Sequence, residues 1–99
     1  MRTSARTDAN QDEIVKALRS IGALVISLAA IGKGCPDILV SWKGVLVHME
    51  IKDGSKPPSQ RKLTPMEVDF FDKWSGSPIF VVESVDDAVS ILGSITPCQ

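Results

Sequence analysis

Two carboxylates and an amine stand where short apolar strands would ordinarily exclude charge. Asp37 follows Pro36 at the head of the run PDILVSW, and Glu50 and Lys52 sit two apart at the tail of VLVHMEIK. Side chains alternate along a strand, so Leu46, His48, Glu50 and Lys52 share one face, and Val45, Val47, Met49 and Ile51 share the other. The runs meet around Lys43-Gly44, which reads as a short hairpin turn whose register can bring Asp37 beside Glu50. Converging carboxylates repel one another unless a cation lies between them. Oxygen donors of this kind suit a hard divalent ion, Mg²⁺ with Mn²⁺ as its substitute. Such an ion polarises a phosphate and makes its bound water more acidic. A lysine alongside can orient that water and offset charge that develops on the phosphate. The predicted chemistry is phosphodiester hydrolysis, with Asp37, Glu50 and Lys52 carrying it.

The rest of the chain must build the sheet that holds these groups. NQDE reads as a capping box, Asn10 with Glu13, followed by Ile14, Ala17, Leu18 and Ile21 at helical spacing and a stop at Gly22. ALVISLA is a strand and AIGKGC a glycine-rich loop. Residues 53–62, with two prolines, two serines and three bases, form a second loop. Thr64, Pro65 and Glu67 start a helix as cap, first-turn proline and box partner. Leu63 and Val68 can staple its entry, Phe70, Phe71 and Trp74 are its expected buried stripe, and Gly76 ends it. PIFVVE is a strand. Ser84, Asp86 and Asp87 begin a last helix, with Val85, Ala88, Val89 and Leu92 facing inward and Gly93 as its stop. The order α-β-β-β-α-β-α predicts an α/β fold, one sheet flanked by helices. It is divided as an N-terminal arm over 1–9, a single domain over 10–93 and a tail over 94–99.

Composition narrows the classes further. The 99 residues are 43% apolar and 23% charged, as expected of one globular domain with a modest core. The net charge is -1, so the total announces no polyanionic partner and the distribution of charge decides. The longest apolar stretch, Gly22 to Gly32, is too short to span a bilayer, and no signal peptide is read at the start. No membrane partner is expected. Cys35 and Cys98 suggest reduced thiols and a cytoplasmic setting, with Cys35 structural.

The motifs GCPDILV, MEIKDGSKPPSQRKLTP and IFVVESVDDAV, after the first helix NQDEIVKALRSIGA, resemble the PD-(D/E)XK nuclease superfamily. More closely, residues 8–92 are similar to stand-alone VRR-NUC domains of phages and their bacterial hosts. The resemblance implies a restriction-endonuclease-like core with a mixed sheet. It implies Asp37 and Glu50 as metal ligands, the main-chain carbonyl of Ile51 as another, Lys52 as the catalytic lysine, and Glu13 on the first helix near the metal. Relatives often carry glutamine where this chain has Glu67, which leaves that position between a helix cap and a supporting role. His48 is a further supporting candidate.

Lys52, Lys56, Arg61 and Lys62 flank the site within eleven residues, and Lys33 and Lys43 lie in adjoining loops. Such a cluster can hold phosphates whatever the total charge. Nucleic-acid-binding roles therefore fall to Lys33, Lys56, Arg61 and Lys62, with contacts mainly to the backbone. The resemblance implies a homodimer acting on branched DNA such as Holliday junctions. A nuclease nicking flaps or duplex DNA, and a catalytically vestigial DNA-binding module, are the alternatives.

Overall fold

Lys43 and Gly44 adopt positive φ, 48° and 81°, and make the turn that folds β2 (Ile38–Trp42) back on β3 (Val45–Ile51). Glycine takes this conformation freely, and the tight turn matches the twist of the strands it joins. The structure is a computed structural model that describes residues 9–95. Before the hairpin come α1 (Gln11–Ser20) and β1 (Leu24–Ser27). After it come a short 3₁₀ turn (Pro58–Gln60), α2 (Pro65–Lys73), β4 (Ile79–Val82) and α3 (Val85–Ile95).

The strands lie in the order β1-β2-β3-β4. The first two pairings are antiparallel and β3–β4 is parallel, so the sheet is mixed, as expected. One face is covered by α1 and α3. Ile14 and Leu18 of α1 and Ala88 and Leu92 of α3 bury against Val25, Val40, Val47, Met49, Ile51 and Val82. These side chains are essentially withdrawn from water, and each contributes roughly 1.5–3 kcal/mol for a large aliphatic group. The other face carries Glu50 and Lys52, and α2 lies over that end of it.

Several local expectations are corrected. Asn10 makes no side-chain cap on α1. Its amide instead donates to the carbonyls of Lys52 and Glu83, both at 3.1 Å, and so ties the helix start to the ends of β3 and β4. Phe70, Phe71 and Trp74 do not form a buried stripe: α2 buries no residue, Phe70 and Phe71 are half-buried, and Trp74 is exposed. Val89 is exposed, since the inward face of α3 is the narrower Ala88–Leu92 row. Gly93 does not stop α3, which continues to Ile95 because the glycine keeps helical backbone. Residues 1–8 of the predicted arm and 96–99 of the tail, Cys98 included, lie outside the described residues. Among the described residues, no helix is long and apolar enough to cross a membrane.

Candidate metal centre and its lysine

The hairpin register pairs Ile38 with Met49 and Leu39 with His48. One step further along that register, Asp37 stands opposite Glu50, on the face away from α1 and α3. Asp37 Oδ2 accepts the Ile51 backbone N–H at 2.7 Å, and the Asp37 carbonyl accepts from Leu28 N–H at 2.8 Å. Its carboxylate thus replaces a backbone acceptor where the ladder ends.

Lys52 and Glu50 are both buried, at 9% and 3% exposure. Lys52 Nζ lies 2.8 Å from Glu67 Oε1 and 3.6 Å from Glu50 Oε2. Glu67 arrives from the first turn of α2, where it completes a full capping box with Thr64. Burial pushes the Glu50 carboxyl up to about 9; a hydrogen bond with Glu67 and the negative charges of Asp37 and Glu67 add to this, and Lys52 opposes it. Burial also acts to raise Glu67, but its hydrogen bonds with Glu50, Lys52 and Thr64 prevail and hold it below the usual carboxylate range. Cys35 stands close by. Burial, then the charges of Glu50 and Asp37, push its thiol up, which suits an inert protonated sulfur.

A cleft of about 220 Å³ opens onto this cluster between the glycine-rich loop and α2, lined by Gly34, Cys35, Asp37 and Glu67, with Lys33 at its wall. Gly34 permits the approach. Its φ is 81°, and a Cβ there would collide with the Met66 carbonyl oxygen. Only a residue without a side chain lets the loop meet the first turn of α2.

The donor set fits a divalent cation. Glu50 and Glu67 face Lys52, Asp37 stands opposite Glu50, and among the described residues Glu50 Oε1 is buried without a hydrogen-bond partner. A buried oxygen of that kind costs roughly 1–3 kcal/mol unless something satisfies it. Asp37 and Glu50 supply two carboxylates, a sufficient protein contribution for Mg²⁺, which retains several waters. Among the described residues, no group of three or more His, Cys, Asp or Glu side chains is arranged to hold a metal ion.

The structure does not bring the other expected residues together in the same way. Glu13 is exposed and lines a separate cleft with Asp53, Glu83 and Asp87. The reason is that α1 packs on the opposite face of the sheet from the Glu50 side chain. Arg61 bonds the Lys56 carbonyl at 2.8 Å and Glu83 at 3.0 Å, so it braces its own loop. Lys56 and Lys62 are exposed. His48 pairs with Ser77 Oγ at 3.1 Å and packs edge-on against Trp74, and burial lowers its pKa. The link sequence reasoning missed was Glu67 to Lys52. Its signal was present in the T-x-x-E box, which places an acid one turn into the helix after the site's loop.

No protein-family model matches the sequence, and no curated protein matches it. Among solved structures, the chain is similar to one described as a VRR_NUC domain, with 24% sequence identity and a TM-score of 0.63. The match covers 89% of this chain and 99% of that one. The chain has the fold of a VRR_NUC domain, a restriction-endonuclease-like mixed sheet with flanking helices.

Proposed function

We propose that this protein is a metal-dependent DNA endonuclease that hydrolyses phosphodiester bonds in branched DNA such as Holliday junctions. The observation that carries the reading is Asp37 opposite Glu50 at the hairpin's end, with Lys52 beside Glu50 and, among the described residues, one buried Glu50 oxygen unpartnered. The fold shared with a VRR_NUC domain supports it.

Asp37, Glu50 and the main-chain carbonyl of Ile51 would hold Mg²⁺, or Mn²⁺ in its place. When bound, the ion supplies positive charge at the scissile phosphate and a more acidic water. Asp37 is held for this by Ile51 N–H. Lys52 presents its ammonium on the same face, where it orients the attacking water and offsets charge on the phosphate. Lys33 at the cleft wall, with Lys56 and Lys62, would hold backbone phosphates. Glu13 has no part in this cluster.

The reading extends to a homodimer. On the face that α2 only partly covers, Leu24, Ile26 and Leu46 are exposed, and Leu24–Ser41–Leu46 forms a row across three strands without a charge. A two-fold axis would set this patch against its own copy, and exposed apolar patches mark association sites. Two copies would offer two metal sites to two strands. A cytoplasmic setting fits a DNA substrate and the free Cys35 thiol.

The test is cleavage of a labelled four-way junction beside flap and duplex controls, with Mg²⁺ and with EDTA. Junction cleavage in Mg²⁺ alone is expected. Faster cutting of flap or duplex would replace the junction assignment by a nicking nuclease. Tight binding with no cleavage of any substrate would leave a DNA-binding module.

A further inference from the structure

We propose that Glu67 is the positioning residue for Lys52, and that it fixes the lysine to the start of α2. This deepens the nuclease reading and rests on it for its kinetic consequence. A single oxygen, Glu67 Oε1, accepts from Lys52 Nζ at 2.8 Å and from the Thr64 backbone N–H at 2.8 Å. Thr64 Oγ1 accepts in return from Glu67 N–H at 3.2 Å. The acid of a capping box ordinarily closes only its own helix end. Here it also reaches across to a buried amine on the neighbouring strand.

Of Glu67 and Glu50, Glu67 is the nearer to Lys52: Glu50 lies 3.6 Å away, beyond good hydrogen-bond length. Lysine carries its charge on a flexible four-carbon stem, so a contact as short as the one to Glu67 bears on where the ammonium sits. The seat of α2 is itself set by its first turn. The helix buries no residue, while that turn meets Gly34 so closely that no side chain fits between them. Loop, helix cap and lysine therefore form one chain of contacts, Gly34 to Met66, Glu67 and Lys52. A lysine placed about 1 Å away from its working position can cost on the order of 10²-fold in rate.

Three variants of the full chain separate position from charge. Glu67→Gln keeps an oxygen acceptor at the same reach and removes the charge. Glu67→Asp keeps the charge and withdraws it by one methylene. Glu67→Ala removes both. One readout is the ¹H–¹⁵N signal of the Lys52 ammonium, assigned by its loss in Lys52→Ala and recorded without DNA. The other is single-turnover cleavage at saturating junction DNA. The wild type and Glu67→Gln should hold the ammonium signal, with cleavage within about fivefold of each other. Glu67→Asp and Glu67→Ala should lose the signal and fall by about 10²-fold in rate with unchanged DNA affinity. If Glu67→Ala fails to fold, the Asp and Gln variants decide. A retained signal and rate in Glu67→Asp would overturn the proposal, as would an equal collapse of Glu67→Gln. A wild type inactive on every DNA substrate would reject the nuclease reading, and the ammonium signal would still decide the role of Glu67.

Discussion

Asp37 Oδ2 accepts the backbone N–H of Ile51 at 2.7 Å, so an acid at the head of one strand closes the ladder at the end of the next. The contact gives Asp37 a structural duty besides its proposed metal duty, and the two can be separated. Asparagine retains an oxygen acceptor for Ile51 N–H, whereas alanine leaves a half-buried donor unpaired, at a cost of roughly 1–3 kcal/mol. Asp37→Asn should unfold thermally near the wild-type temperature yet lose metal-dependent cleavage. Asp37→Ala should lose both. Thermal melts and cleavage assays on the pair check this, and equal destabilisation of the two variants would contradict it.

Stability should depend on pH in a direction set by Glu50. Its carboxyl is pushed up to about 9 from an ordinary 4.5, so the folded protein holds a proton that the unfolded chain releases. The resulting stability is fully present below pH 4.5 and is lost as pH rises toward 9. Glu67 is shifted the other way, and its contribution is lost as pH falls through the acid range below 4.5. In EDTA the melting temperature should therefore fall between about pH 6 and pH 9. Mg²⁺ favours the ionised carboxylate, so its stabilising increment should grow over the same window. Calorimetric melts with and without Mg²⁺ measure both slopes, and a melting temperature that rises with pH in EDTA would contradict the assignment.

The basic residues should divide into three behaviours. Lys52→Ala should leave DNA affinity nearly unchanged and reduce single-turnover cleavage by about 10²-fold or more, the scale for losing a preorganised charged donor. Replacing Lys33, Lys56 and Lys62 together should weaken binding and flatten the log–log salt dependence by about 0.9 per lost phosphate contact. Arg61→Ala should act on the fold, because Arg61 bonds the Lys56 carbonyl and Glu83. Its half-exposed ion pair sets a cost of about 1 kcal/mol or less. Salt titrations of binding and melts of Arg61→Ala distinguish these cases.

The uncovered sheet face should govern assembly. Leu46→Asp places a charge in the row that Leu24 and Ser41 complete, and it touches none of the buried core. Light scattering at micromolar concentration should give twice the chain mass of 10.7 kDa for the wild type and the single mass for the variant. A wild type at 10.7 kDa with junction cleavage intact would contradict the dimer.

Much of the Asp37–Glu50–Lys52 cluster was legible in the chain because strand geometry is local. Alternation along VLVHMEIK assigned Glu50 and Lys52 to one face, and the turn at Lys43-Gly44 set the register that brings Asp37 opposite Glu50. The T-x-x-E box at Thr64 was equally clear. What remained hidden depends on contacts between distant segments. Asn10 looked like a cap, but its amide meets carbonyls of residues 52 and 83, which no local pattern encodes. Phe70, Phe71 and Trp74 marked an apolar face on α2, yet periodicity does not say whether anything covers that face. Glu13 lay on the expected helix, and the side of the sheet that helix takes decided its surroundings. The loop's composition likewise did not show that Glu83, at the end of β4, comes beside Arg61.

The most direct measurement of the central claim is Mn²⁺ binding by the wild-type protein and by Glu50→Gln, without DNA, in one titration calorimeter at pH 7.5. Two carboxylates meeting at one point should give the wild type a single site per chain. The glutamine variant keeps the shape and removes the charge, so its affinity should fall by about tenfold or more, as a loss of at least 1.4 kcal/mol would give. Equal Mn²⁺ binding by both proteins, or none by the wild type, would contradict a metal centre at Asp37 and Glu50.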